Sequence, residues 1–183
     1  MKIEKTKLQG CFYISPKVHF DSRGYFFEAF NKKVFEKETD TTFNILQTNQ
    51  SRSSKGVLRG LHFQCEDAAQ AKLVRVLSGK VQDVCVDLRP NSKTFGQSVS
   101  IILEAEKHNQ LFIPRGFAHG FLVLENDTIF SYSCDNFYSK SSESGIKYND
   151  IDLNINWLLP REELILSEKD KKLQSFSDYK KSI

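Results

Sequence analysis

The sequence predicts an all-β chain folded as an antiparallel sandwich or barrel, with small helices at its edges. Three observations carry that expectation. Most Phe, Val, Ile and Leu fall in short runs of strand length. Several runs alternate apolar and polar residues, notably Val81-Gln82-Asp83-Val84-Cys85-Val86-Asp87-Leu88. Gly, Pro, Asn and Ser punctuate the intervals. With 183 residues, 39% of them hydrophobic, the chain suits one domain (1–183) with a sizeable core.

The first runs cover residues 11–14 and 25–30. Asn31 then suits the N-cap of a short helix over 32–38, whose mixed Lys and Glu residues read as a solvated face. Runs at 57–63, 73–77 and 81–88 follow, and Ser78-Gly79-Lys80 suits a tight hairpin between the last two. Arg89-Pro90-Asn91-Ser92 suits a loop. Further runs cover 98–103, 110–113, 121–124 and 128–133. Ser167 with Asp170 three positions on has the form of a capping box opening a C-terminal helix.

Composition narrows the function. The net charge of +3 is mild and its Lys and Arg are scattered, which argues against a nucleic-acid partner. No apolar run reaches membrane-spanning length, so no membrane partner is expected. No apolar stretch follows Met1-Lys2-Ile3-Glu4-Lys5, so no signal peptide is expected and the cytoplasm is the expected location. Cys11, Cys65, Cys85 and Cys134 lie far apart without a C-x-x-C, as buried or incidental thiols would.

Three stretches carry chemistry. In Val57-Leu58-Arg59-Gly60-Leu61-His62-Phe63-Gln64, Arg59 and His62 interrupt an apolar strand pattern. Alternation puts His62 on one face with Gly60 and Gln64. A polar side chain inside a small barrel must be satisfied or must work, and taken alone His62 fits a hydrogen-bonded core imidazole as well as a reactive one. The second stretch, Pro114-Arg115-Gly116-Phe117-Ala118-His119, has the P-x-G-x-x-H form of the second cupin motif. In metal cupins that histidine is a ligand, and the first motif adds an H-x-H pair and a Glu. Here Gln64 stands where the second histidine of the pair is needed, so a three-histidine metal site cannot form from these positions. His19 and His108 sit in loop-like contexts and read as surface residues. The third stretch, Ile129-Phe130-Ser131-Tyr132-Ser133-Cys134, sets a phenol among apolar neighbours, where a core aromatic with its hydroxyl tied down is the plain alternative.

Six ordered pieces together resemble the dTDP-4-dehydrorhamnose 3,5-epimerase family: Asp21 to Glu28, Val57 to Gln64, Ala69 to Val76, Ser92 to Gly96, Phe112 to Phe121, and Leu166 to Asp170. The resemblance runs from about Tyr13 to Asp170. It implies a cupin-type jelly-roll β-barrel with short peripheral helices. It also implies an isomerase that inverts C3 and C5 of dTDP-4-dehydro-6-deoxy-D-glucose to give dTDP-4-dehydro-L-rhamnose. The family works as a homodimer without metal or nicotinamide, so no cofactor is expected.

By position, the resemblance makes His62 the base and Asp170 its dyad partner. It makes Tyr132 the acid on the opposite face of the sugar and Lys72 the cation near the C4 oxygen. Arg23, Glu28, Gln47, Asn49, Arg59, His119, Glu143 and Lys169 fall at substrate-binding positions, and Tyr138 at an aromatic contact for the nucleotide. Some pocket residues near Arg23 and Glu28 are expected from the neighbouring subunit. The sequence departs from the family at Ala71, where Gly is usual, and at Thr48, where Asp is usual.

The residue types suit the chemistry. A proton beside a ketone needs a positioned base and a stabilised enolate oxygen. Free imidazole titrates near ~6.5 and is largely neutral in the cell. Inversion needs a donor on the far face. The plain alternatives are a snorkelling Lys72 and an Asp170 that merely caps a helix. Rival functions are a C3-only or different-nucleotide epimerase, a metal-dependent cupin enzyme, and a non-catalytic sugar-binding cupin.

Overall fold

The computed structural model describes residues 1–183. Its elements in chain order are β1 (Lys2–Lys5), β2 (Phe12–Ser15), β3 (His19–Asp21), β4 (Gly24–Phe26), α1 (Lys32–Thr39), β5 (Gln47–Ser53), β6 (Leu58–Gln64) and β7 (Lys72–Ser78). There follow β8 (Lys80–Asp87), β9 (Ser98–Glu104), β10 (Gln110–Ile113), β11 (Phe117–Val123), β12 (Thr128–Cys134), β13 (Glu143–Gly145) and α2 (Phe176–Lys181). One antiparallel sheet has the order β1-β2-β10-β7-β12-β5, and a second has the order β13-β6-β11-β8-β9. The two sheets pack into the jelly roll that the family resemblance implies, and β3 and β4 form a separate two-stranded arm.

Alternation builds the core between the sheets. Val74 and Val76 of β7, Leu111 and Ile113 of β10 and Phe130 of β12 meet Val81 and Cys85 of β8 and Phe117, Phe121 and Val123 of β11. The outer faces are covered as well. Phe35 of α1 packs with Phe43 and Phe112 on the six-stranded sheet. Phe176 and Leu153 cover Val84, Val86 and Ala118 on the five-stranded sheet. Burial on both faces explains why every residue of β11 is buried. Asn31 caps α1 as expected, its side chain accepting from the Val34 amide at 3.1 Å.

Two expectations are corrected. Gly79 does not close a hairpin, because β7 and β8 belong to different sheets. The turn is a corner, where Gly79 has φ +80° and a Cβ would come within 2.3 Å of Thr128 Oγ1. Ser167 does not start a long helix: its hydroxyl accepts from the Asp170 amide at 3.1 Å, but only a 3-10 turn over Asp170–Lys172 follows. The C-terminal helix is α2, capped by Ser175.

Candidate active site

One wall of the site comes from the five-stranded sheet. His62 of β6 lies directly opposite His119 of β11. Strict alternation would put Arg59 and His62 on opposite faces of β6. Pairing instead runs from His119↔His62 to Phe121↔Arg59, so β6 spends one more residue than β11 between these points. That bulge turns both polar side chains to the same side. It depends on close backbone approach: a Cβ on Gly60 (φ +121°) would lie 2.6 Å from the Gly120 Cα.

The facing wall comes from the six-stranded sheet. Asn49 pairs with Tyr132, and Tyr132 with Val74, while one step along Gln47, Cys134 and Lys72 are in register. Tyr132 packs against the inner core, and the Lys72 ammonium stands 5.8 Å from its ring centroid. Residues after β13 close the third side. The backbone of Ile165 accepts from the Leu58 amide at 3.0 Å and donates to Gly56 at 2.8 Å, which lays Ser167, Lys169 and Asp170 along the opening.

These walls enclose a cavity of about 550 Å³ lined by His62, Lys72, Tyr132, Asp170, Arg59, Asn49, His119 and Lys169 among others. All four residues expected to be catalytic therefore share one cavity. His62 Nε2 and Asp170 Oδ1 lie 2.5 Å apart. Ser167 caps the Asp170 amide, but the Asp170 carboxylate faces His62 and not a helix amide. Burial works against ionisation of Asp170, but the His62 hydrogen bond, helped by Ser167 and the charge of Lys169, holds its carboxyl below the usual range.

Electrostatics separate the other groups. Burial pushes the Lys72 ammonium pKa down, only partly offset by Cys134, Asp83 and Glu143. Burial pushes the Tyr132 phenol up, with the Arg59 guanidinium acting the other way. The phenol therefore stays protonated at neutral pH and is available as a donor.

At the rim, Tyr138 donates to Glu143 at 2.7 Å, and Lys169 forms an ion pair with the same carboxylate. Burial opposes ionisation of Glu143, but these two partners hold its carboxyl below the usual range. Gln47 donates to Asn49 at 3.0 Å and accepts the Tyr138 amide, so the three are linked. Gln64 is committed elsewhere, bonding both backbone groups of Ser139 and steadying that rim loop.

Arg23 and Glu28 lie apart from the cavity. Arg23 is on the exposed β3–β4 arm, paired with Asp21, and Glu28 follows the arm, accepting from Asn31. His19 is exposed as expected, but His108 is half-buried, with its ring 4.6 Å from both Tyr25 and Phe27 at the root of the arm. Thr48 points to the outer face and bonds Ser133 at 3.0 Å, so this departure does not alter the cavity lining. Ala71 has no left-handed backbone requirement, and its amide donates to Asp135. Sequence reasoning missed Asp83. It is wholly buried and its Oδ2 lies 2.9 Å from His119 Nε2. The signal was an Asp on the same strand face as Val81 and Cys85.

Comparison with known proteins points the same way. The family model described as dTDP-4-dehydrorhamnose 3,5-epimerase matches residues 5–178. The chain is 48% identical over 178 residues to a Shigella flexneri protein named dTDP-4-dehydrorhamnose 3,5-epimerase, covering 97% of each. It superposes on the crystal structure of the Elizabethkingia anophelis dTDP-4-dehydrorhamnose 3,5-epimerase with a TM-score of 0.95 at 53% identity, covering 97% of each chain. A Legionella pneumophila 3,5-epimerase in complex with dTDP-4-keto-L-rhamnose gives a TM-score of 0.92 at 45% identity, covering 96% of this chain and 93% of that one. With a matching family model across nearly its whole length and a cavity that gathers His62, Lys72, Tyr132 and Asp170, the chain belongs to the dTDP-4-dehydrorhamnose 3,5-epimerase family.

Proposed function

We propose that this chain, acting as a single domain, inverts C3 and C5 of dTDP-4-dehydro-6-deoxy-D-glucose to give dTDP-4-dehydro-L-rhamnose. One observation carries the reading: the His62–Asp170 pair and the Lys72–Tyr132 pair line opposite walls of the same cavity. His62 removes the proton from a carbon next to the C4 ketone. Its imidazolium is stabilised by Asp170, which also fixes the ring, as an orienting carboxylate does in a triad. The electron pair moves to the C4 oxygen as an enolate, where the Lys72 ammonium opposes the charge in a water-poor setting. Tyr132 gives its hydroxyl proton to the opposite face of the same carbon, which inverts it. The phenolate then regains a proton from solvent and the imidazolium loses one. The second carbon follows in the same way. Each positioned proton transfer is worth ~10²–10⁴ in rate.

Arg59 and Lys169 suit the diphosphate, and Gln47, Asn49 and Tyr138 suit the base. His119 and Glu143 lie nearer the sugar in this reading. Arg23 and Glu28 serve a second copy of the chain in a homodimer. That assignment draws support from their place on and beside an arm whose Phe20, Tyr25 and Phe26 are exposed. A cytoplasmic location fits four free thiols and the lack of any helix long and apolar enough to cross a membrane. No metal, nucleic acid or membrane partner enters the reading.

The test is proton NMR of the substrate incubated with the protein in heavy water. Deuterium at C3 and C5 with formation of the L-rhamno product is expected, and His62→Ala should abolish both. Deuterium at C3 alone would establish the single-carbon epimerase. No exchange at either carbon would refute the reading.

A further inference from the structure

Asp83 is an odd residue to find where it is. It lies on β8 between Phe121 of β11 and Ile101 of β9, wholly enclosed. One carboxylate oxygen, Oδ1, is the buried side-chain polar atom left with no hydrogen-bond partner. The other, Oδ2, meets His119 Nε2 at 2.9 Å. A buried carboxylate with half its bonding capacity unused is costly. An asparagine or an apolar residue would fill the same volume. What a carboxylate adds is that it only accepts.

An acceptor at Nε2 obliges that nitrogen to carry hydrogen. In neutral imidazole the other nitrogen, Nδ1, then presents a lone pair. His119 lines the cavity, no protein group bonds its Nδ1, and that atom is not sealed from the cavity. The ring is otherwise held by Phe121 and Phe130, with centroids at 6.4 and 6.1 Å. In the cavity Lys72, Arg59 and Lys169 are all donors. His119 Nδ1 would be an acceptor among them, placed one strand from the proposed base.

We propose that Asp83 is a positioning residue: it locks His119 in the tautomer whose Nδ1 accepts a hydrogen bond from a hydroxyl of the bound sugar ring. This rests on the epimerase reading for the identity of the ligand. The tautomer itself does not.

The experiment is long-range ¹⁵N–¹H NMR of protein labelled in its four histidines, with His119 assigned from the signals missing in His119→Gln. In the unmodified protein, hydrogen on Nε2 and none on Nδ1 is expected. In Asp83→Leu the acceptor is gone, an Nε2–H would be buried without a partner, and hydrogen is expected on Nδ1. KM for the sugar nucleotide should rise about tenfold in that variant, with kcat changed less, as loss of one ground-state hydrogen bond implies. A protonated Nδ1 in the unmodified protein would overturn the proposal, and that measurement stands even if Asp83→Leu fails to fold. An unchanged tautomer in a folded Asp83→Leu would overturn it too, as would an unchanged KM. If the unmodified protein exchanges no deuterium into the sugar nucleotide, the epimerase reading falls, while the tautomer is still read.

Discussion

Replacing Gly60 with alanine tests whether the bulge in β6 builds the site. The added Cβ would lie 2.6 Å from Gly120 Cα and 2.7 Å from His119 O. Both contacts are backbone, so no side chain can swing away. Overpacking of this kind costs about 1–3 kcal/mol. Holding a residue with a Cβ at φ +121° adds about 1–3 kcal/mol more. The sum, about 2–6 kcal/mol, is a large share of a domain's total stability. For a chain of this size it lowers Tm by about 5–20 °C. The strain is relieved by pushing β6 from β11, which moves His62 relative to His119. Deuterium exchange into substrate, measured well below the melting temperature, should therefore fall at least about tenfold, since misplacement by about an ångström is enough. A melting temperature within 2 °C of the unmodified protein (about the shift of 1 kcal/mol or less) with unchanged exchange would refute this reasoning.

Three further outcomes follow from other parts of the molecule. Lys72→Met removes a buried ammonium that only distant charges offset, so the variant should melt at or above the normal temperature while turnover drops by about 10²–10³; calorimetry beside NMR turnover checks both. Tyr132→Phe should slow product formation by about 10²–10⁴ and leave exchange on the His62 face measurable, which a time course in heavy water separates. Burial disfavours the Asp87 charge, but Arg89, Ser92 and Thr94 bring its pKa down to about 2. A depressed carboxyl stabilises the fold above its unfolded pKa of about 3.9, and the gain is lost as pH falls towards about 2; Asp87→Asn should cost about 2 kcal/mol at pH 7 and little at pH 2 in urea titrations.

The strands that bury aliphatic or aromatic faces were legible in the sequence to within a residue or two, as β7, β8, β9, β10 and β12 illustrate. Those that escaped are polar. Gln47-Thr48-Asn49-Gln50-Ser51-Arg52-Ser53 forms β5 because it edges the six-stranded sheet, and its inward side chains face the cavity rather than the core. Hydrophobic periodicity cannot detect such a strand. The run at 25–30 overstates β4, because Phe27 and Phe30 pack onto His108 and Phe35 from irregular backbone. The run at 121–124 understates β11, whose Gly120 interrupts the pattern for the sake of Gly60. His62 and Tyr132 stood out as polar groups in apolar strands, whereas Lys72 came from the family resemblance alone. Asp83 had the same signature and was hidden by an alternation that looked complete without it. That Arg59 and His62 share a side required the register of β6 against β11, which alternation within one strand does not contain.

The partner of His62 lies 108 residues away along the chain, beyond every strand of both sheets. A ribosome that has released β13 has already supplied all the strands of the jelly roll. It has not yet supplied the carboxylate. The same late segment brings Leu153 and Phe176 to cover the five-stranded sheet, so that core and the chemistry are both completed only when the end of the chain docks, with proton abstraction waiting on its contact beside Gly56 and Leu58.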